Sequence, residues 1–524
     1  MTDPLCPRCR CGPATQPEAV SSHERHRAML MVFRNAWALL LGMFLLQVGN
    51  GMQATVLGIR GALEGFDNTV LGIVMTGYFV GFFGGAWVTP VLLRRVGHVR
   101  TFAALASLIS AAFIIYGWAV DPVAWTAMRI LTGFCFSGVY VVAESWLNNQ
   151  ATNETRGQSL SIYLIFQMGG IVLAQAVVPL ADPSGYDLFI VMTVAVSLAC
   201  TPILLSASPA PVFETARQMS ILALYRISPL GAVACVLMGA VFATMFGMTA
   251  VWGSALQLSP VDISLIVGAL YAGAMVLQYP IGWLSDRVDR RLLIAAVCVV
   301  GAVAALGMGV VGRNTNLLVA TAFVVGGVAN PLYSLVLAHT NDFMDWEQMA
   351  GAAGALVLLT GIGAAGTPFL VGSLMDVVGP VAYPAVMVSC FSGIAGYAGY
   401  RMTVRPATPV DDTLPHTALA PTMSPVTVSA AQEVYAAAAE AQASDEAGDG
   451  AGDGAGDGAG RGARDGARDR ALDRVHDGAR DGARDGARDG AEGGEAEIVA
   501  PDAADTRNEP GWGDEKARPG WREA

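Results

Sequence analysis

The chain has 524 residues, of which 53% are hydrophobic and only 14% charged, with a mean hydropathy of +0.48 and a formal net charge of −12. Soluble globular chains carry about a quarter charged residues, so most of this one has lipid as its solvent. The negative charge is spread over loops and tail, which argues against a nucleic-acid partner.

Residues 1–34 are polar and read as a cytoplasmic leader. They lack a basic start, an apolar run and a small-residue cleavage site in sequence, so no cleavable signal peptide is expected. Cys6, Cys9 and Cys11 with His23 and His26 have poor spacing for a tetrahedral metal site, and a disordered leader before a later start at Met29 or Met31 is the plainer reading. No metal and no cofactor are expected. Cys135, Cys200, Cys235, Cys298 and Cys390 stand singly in apolar runs as small hydrophobes.

From residue 35 to 401 the chain divides at charges and turn residues into twelve apolar segments, each near the roughly 20 residues a helix needs to cross a bilayer. They run over 35–57, 70–93, 101–120, 123–146, 158–180, 186–205, 229–256, 263–284, 292–311, 316–339, 350–375 and 380–400. The expected architecture is an all-α membrane protein: a six-helix half over 35–205, a cytoplasmic linker at 206–228 and a second half over 229–401. Loops on the N-terminal side hold Arg94, Arg95, Arg100, Arg156, Arg217, Arg226, Arg287, Arg290 and Arg291, against Arg60 and Arg313 on the other. Basic loops stay cytoplasmic, so both termini are expected inside a plasma membrane. The 340–349 loop is discordant, with Asp342, Asp345 and Glu347 and no base. Trp37, Trp118, Trp125, Trp146, Trp252 and Trp283 fall near segment ends, as interfacial indoles do.

An internal repeat at an offset of about 192 residues relates the halves: Phe33-Arg34 to Tyr225-Arg226, Gly81 to Gly273, and Arg94-Arg95 to Asp286-Arg287. The repeats are parallel, an arrangement that places a site near the midplane between them.

The segment Gly282-Trp-Leu-Ser-Asp286-Arg287-Val-Asp-Arg290-Arg291 resembles the loop signature of the major facilitator superfamily, with Asp289 in place of its second glycine. Arg129-Ile-Leu-Thr-Gly133 is similar to the family's fourth-span element, and Glu144 with Arg156-Gly157 to the groups flanking the next loop. Val141-Val-Ala-Glu144-Ser and Gln278-Tyr-Pro280-Ile-Gly282 look nearest to its YcaD-like branch. The resemblance covers about residues 30–402 and implies a twelve-helix carrier working by alternating access. The first-half loop departs from it, with Arg94 and Arg95 where the family has an acid. The fifth span, around Gln167-Met-Gly169-Gly170, lacks the Gly-Pro element of many drug–proton antiporters. Arg94, Arg95, Arg156, Asp286, Arg287 and Arg290 are the expected gating-loop residues.

Arg129 is the one base inside a predicted span, roughly 9 Å below its end, where an insertion cost of about 2.5–3.5 kcal/mol calls for a function or a structural partner. Glu144, on the same helix, is a latch for Arg156 or a proton carrier, and His339 is expected to be solvated. Gln47, Asn50 and Gln53, with Gln167, Gln175 and Asn330, must face protein or a wet cavity, as interhelical glue or as site groups. Gly81 and Gly85 read as close-packing positions. Substrate or coupling chemistry is expected from Arg129, Gln47, Asn50, Gln167, Asn330 and Glu144.

Residues 402–524 form a low-complexity tail, with Gly-Ala-Arg-Asp repeats that disfavour helix and offer nothing to a core. It is expected to be disordered and to bury no apolar surface. Phosphate-loop, His-Glu-x-x-His and Gly-x-Ser-x-Gly motifs are missing from the sequence, so an enzyme is not expected. The leading expectation is a monomeric secondary transporter for a small molecule, with protons as a candidate coupling ion; the alternative is a receptor or scaffold of the same fold.

Overall fold

The computed structural model describes residues 22–150, 156–205, 219–344 and 346–404, together with Leu419, Ser424 and Val428. The side chains of 22–35, 150, 156–157, 346–347 and 350 lie outside this description, so the expected Glu144–Arg156 latch does too. Most of the tail, and the cysteines of the leader, also fall outside it.

The first half contains α1 (Ser22–Leu63), α2 (Asn68–Val96), α3 (His98–Trp118), α4 (Pro122–Gln150), α5 (Arg156–Val177) and α6 (Asp187–Leu204). A short amphipathic α7 (Ile221–Ile227) occupies part of the expected linker. The second half follows with α8 (Pro229–Ala243), α9 (Thr249–Ala255), α10 (Pro260–Ser285), α11 (Arg290–Val310), α12 (Thr315–Asn341), α13 (Trp346–Ala365), α14 (Thr367–Val378) and α15 (Ala382–Val404). Eleven spans among the described residues are long and apolar enough to cross a membrane, and α15, at 23 residues, occupies the twelfth expected position.

Two expected spans are interrupted. The seventh widens into a π-helical turn at Thr244–Met248, between α8 and α9. Thr244 and Thr249 both turn their hydroxyls back onto carbonyls four residues earlier, Ala240 and Met245. π-Turns of this kind recur at functional sites. The eleventh breaks at Gly366, because Pro368 has no N–H to continue the ladder.

The repeat is visible in the packing. A Cβ on Gly81 of α2 would overlap the carbonyl oxygen of Ile130 on α4, and one on Gly273 of α10 would overlap that of Phe323 on α12. Gly133 against Tyr78 matches Gly326 against Leu270 in the same way, and Gly170 against Phe44 matches Gly363 against Val236. In lipid, apolar area gives helices no reason to associate, so small residues that admit backbone-to-backbone contact carry the packing.

The halves share a polar tie as well. Arg290 at the start of α11 is buried and pairs with Asp342 at the end of α12, with Asp286 at 3.9 Å and the Ala338 carbonyl at 3.4 Å. At the matching place His98, at the start of α3, meets the Ser145 hydroxyl at 3.1 Å. The acid-rich 340–349 loop is thereby explained in part, since Asp342 serves Arg290. Two expectations need correction. His339 is only 5% exposed, packed edge-on to Phe343, rather than solvated. Of the tryptophans, Trp37, Trp118 and Trp283 are exposed, but Trp125, Trp146 and Trp252 are buried; Trp125 donates to the Tyr116 carbonyl and Trp252 stacks on Tyr383.

Gly273→Ala should destabilise the protein by about 1–3 kcal/mol, as overpacking a filled contact does. Gly396, whose Cβ position is open, supplies the control. Melting temperature in mild detergent should fall for Gly273→Ala and hold for Gly396→Ala; equal melting of the two would contradict the packing described.

Candidate functional site

A cavity of about 70 Å3 lies between the halves, lined by α1, α2, α4 and α5 on one side and by the π-turn, α9, α10 and α12 on the other. Gln47, Asn50, Arg129 and Asn330, four of the six expected site residues, meet there. Gln167 sits beside the lining residue Met168, fully buried, with neither amide atom hydrogen-bonded. Glu144 is not part of the cavity and belongs to the end of the bundle that carries Arg94, Arg287 and Arg290, called here the arginine-rich end.

Arg129 is 3% exposed. Its Nη2 donates to the Met75 sulfur at 2.9 Å, and its guanidinium carbon lies 4.9 Å from the centre of the Tyr78 ring. Among the described residues it makes no ion pair, and its Nε has no hydrogen-bond partner. A sulfur and a π face are weak company for a buried cation, since each offsets only part of the lost hydration. Among the described residues no carboxylate offsets this positive charge. Asn330 adds two unpartnered amide atoms from the second half, 3% exposed.

The amides of α1 are ordered by phenols. Tyr140 donates to Gln47 Oε1 at 2.9 Å, and Asn50 Nδ2 donates to the Tyr140 hydroxyl at 3.1 Å. Gln53 Nε2 donates to the Tyr116 hydroxyl at 2.8 Å and to Thr132 Oγ1 at 3.0 Å, one turn from Arg129 on α4. Gln175 binds the backbone of Gly51 and accepts from Thr55. Gln53 and Gln175 are thus interhelical glue, whereas Gln47 and Asn50 also reach the cavity. Sequence reading missed the aromatic wall of Tyr78, Phe79, Tyr140, Phe246 and Tyr271. The available signal was the placement of Tyr78 and Tyr271 within one turn of the packing glycines Gly81 and Gly273.

The two ends of the cavity differ. At the end opposite the arginines, Asp376 of α14 caps α2 across the halves: its carboxylate accepts from the backbone and side chains of Asn68 and Thr69, at 2.6–3.2 Å. Phe369 N donates to Thr76 Oγ1 at 3.1 Å, and Gly72 and Gly372 admit the facing backbone. At the arginine-rich end α2 and α13 part to leave a crevice of about 330 Å3, running from Tyr78 and Phe246 out to Trp87 and Arg94.

The gating-loop residues are distributed unequally. Asp286 and Arg290 are drawn together and tied to α12, while Arg287 lies exposed on the Trp283 ring, 4.0 Å from its centre. Arg94 and Arg95 are exposed, and Arg94 donates to the Pro90 carbonyl of its own helix at 3.3 Å. Glu144 is fully buried, accepting from the Tyr163 hydroxyl at 3.3 Å and from the backbone N–H of Ser424 at 2.8 Å. The expectation that the tail buries no apolar surface fails at Leu419 and Val428, which are 1% and 0% exposed.

Comparison with known proteins agrees with this architecture. The family model described as Major Facilitator Superfamily matches residues 230–439, and that of the MFS_1 like family matches residues 7–173. An uncharacterized MFS-type transporter YcaD from Escherichia fergusonii is 26% identical over 355 residues, which is 66% of this chain and 91% of the relative. An uncharacterized MFS-type transporter of Enterobacter sp. is 27% identical over 345 residues, 64% of this chain and 88% of its own. The same fold occurs in crystal structures of the nucleoside transporter NupG: a mutant form has a TM-score of 0.59 at 14% identity, covering 70% of this chain and 98% of that one. A second structure of NupG has a TM-score of 0.55 at 15% identity and the same coverage. The chain belongs to the major facilitator superfamily, as a multi-pass membrane transporter.

Proposed function

We propose that the chain moves a small organic anion, bound between the halves by Arg129, across the cytoplasmic membrane. The observation that carries this reading is the buried guanidinium on the wall of the interhalf cavity, which has no carboxylate partner among the described residues. A carboxylate or phosphate accepts two parallel hydrogen bonds from a guanidinium. Asn330 and Asn50 supply amides from opposite halves, and Tyr78, Phe246 and Tyr271 give the body of the substrate an aromatic bed. Contacts from both halves mean that binding biases the equilibrium between them, the requirement for alternating access.

The arginine asymmetry supports a reading in which the arginine-rich end and both termini lie in the cytoplasm. The conformation described, sealed at Asp376 and open at the α2–α13 crevice, is then inward-facing. The cavity is completed within one chain, which supports a monomer as the working unit. Glu144 is the buried carboxylate on which proton coupling would rest.

Binding is testable by thermal shift with a panel of small carboxylates and phosphates against their neutral amide and alcohol analogues. The anions should stabilise the protein and the neutral analogues should not. Arg129→Ala and Arg129→Lys should each weaken binding about 10- to 150-fold, the equivalent of about 1.5–3 kcal/mol for charge-assisted bonds, because the ammonium of lysine is a point charge that cannot make the paired contact. An unliganded melting temperature that collapses in both variants, or a lysine variant that binds normally, would return Arg129 to a structural role.

Asp376→Asn replaces one accepting oxygen by a donor and so weakens the seal. A contact worth about 1–3 kcal/mol in one state alone should shift the population about 5- to 150-fold toward the other. Labelling of an Ala54→Cys reporter in the cavity by an impermeant maleimide applied to intact cells measures that shift; an unchanged rate contradicts it. Orientation is read in the same cells: a cysteine at Arg313 should label from outside and one at Arg226 should not.

A further inference from the structure

We infer that the arginine-rich ends of α4 and α12 form a docking site for the chain's own C-terminal extension, and that the segment carrying Leu419, Ser424 and Val428 holds this end apart. Leu419 N donates to the Ser334 hydroxyl of α12 at 2.9 Å, and that hydroxyl donates in turn to the Leu419 carbonyl at 2.9 Å. Gln278 of α10 also donates to Ser334, at 3.0 Å, fixing the hydroxyl from behind. Five residues further on, Ser424 N donates to Glu144 Oε2 of α4 at 2.8 Å. One short segment therefore bonds to the second half at one point and to the first half at another.

The contacts are of the kind that recognise a peptide. Its partners bind main-chain groups, and Leu419 and Val428 are packed into the apolar core, so backbone bonds supply attachment and alternate side chains supply fit. Glu144 is a buried carboxylate acceptor, and a peptide N–H is a donor that costs little to bring in from water compared with a cation. Reach is sufficient: fourteen residues separate the end of α15 at Val404 from Leu419, enough to span about 50 Å when extended. The tether also keeps the segment at a local concentration in the millimolar range, so modest intrinsic affinity suffices.

The mechanical consequence rests on the alternating-access reading above. Closing the arginine-rich end requires α4 and α12 to approach each other there, and the segment lies bonded to both. Inward-facing molecules accept it and outward-facing ones must release it, so docking favours the inward-facing state by the whole of its binding free energy. The extension is thus a self-supplied brake on the transport cycle.

The test uses the full chain. Ser424→Cys is nearly isosteric, and the Ser424 hydroxyl has no hydrogen-bond partner, so the attachment through the backbone is retained. In detergent-solubilised protein, with modified sites read by mass spectrometry, this cysteine should react with maleimide at least tenfold more slowly than one placed at Arg480 in the glycine-rich repeat. Adding Leu419→Asp with Val428→Asp should raise its rate to that of the Arg480→Cys site. Equal rates for the two sites in the otherwise unaltered chain would overturn docking. The brake is read separately, in intact cells, from the Ala54→Cys reporter labelled from outside: the double aspartate variant should raise that rate fivefold or more. An unchanged rate, with docking demonstrated, would overturn the brake. Rapid outside labelling before any tail substitution would count instead against the inward-facing reading.

Discussion

Each polar group that the fold carries into the membrane must find its partner inside the protein, because the hydrocarbon around it offers none. That constraint orders most of the structure. Backbone groups meet it within helices, and the helices approach through glycines because no apolar driving force would otherwise hold them together. Side-chain amides meet it through phenols and carbonyls on neighbouring helices, as Gln53 does with Tyr116 and Thr132. Where the account stays open, at Arg129 Nε and at the amides of Asn330 and Gln167, the structure has retained groups that pure folding stability would remove. A hydrophobic residue of similar volume would serve packing better at each of those places.

The two halves separate the packing role from the polar one. Three pairs of glycine contacts correspond between them, but several of the polar groups between those contacts do not. At the offset that relates Gly133 to Gly326, Arg129 corresponds to Ala322, which is fully buried and apolar. Arg94 corresponds to Asp286, and only the second is drawn into a tie with Arg290 and α12. Tyr140 and Tyr333 do correspond, both buried. Duplication thus supplies a rigid pair of scaffolds, and chemistry resides in what one scaffold has and the other lacks. A cation on one wall and amides on both make the cavity polar without making it symmetric, which suits an anion with one charged end.

Sequence reading reached the twelve spans and the family because their signals are long-range averages of hydropathy and charge. Four residues that line the cavity, Arg129, Gln47, Asn50 and Asn330, were accessible for a related reason: a polar group at membrane depth is costly enough to be conspicuous. The aromatic wall was not, since a tyrosine on an apolar helix is ordinary until its neighbours are known. Asp376 was hidden by its position near a span end, where carboxylates are common; only the fold brings it to the N-terminus of α2. The π-turn at Thr244–Met248 has no strong signature beyond two threonines and a glycine. The tail misled most, because composition averaged over a hundred residues concealed one short stretch with Leu419 and Val428 in it.

The ends of the bundle are controlled by different physics, and this decides how the cycle can be regulated. Opposite the arginines the seal is part of the folded core: a carboxylate across the halves accepts several donors from a helix N-terminus, where the helix dipole adds to the attraction. Such a seal has fixed strength for a given sequence. At the arginine-rich end Leu419 and Ser424 bond to Ser334 of one half and Glu144 of the other, so the strength of that link depends on how often the segment carrying them is docked. Anything that captures or modifies the extension changes the balance between the two states without touching the substrate cavity. The side chains at the cavity can then stay matched to the substrate, while the rate at which the two halves exchange is set at a distance of several helical turns along α4, from Arg129 to Glu144.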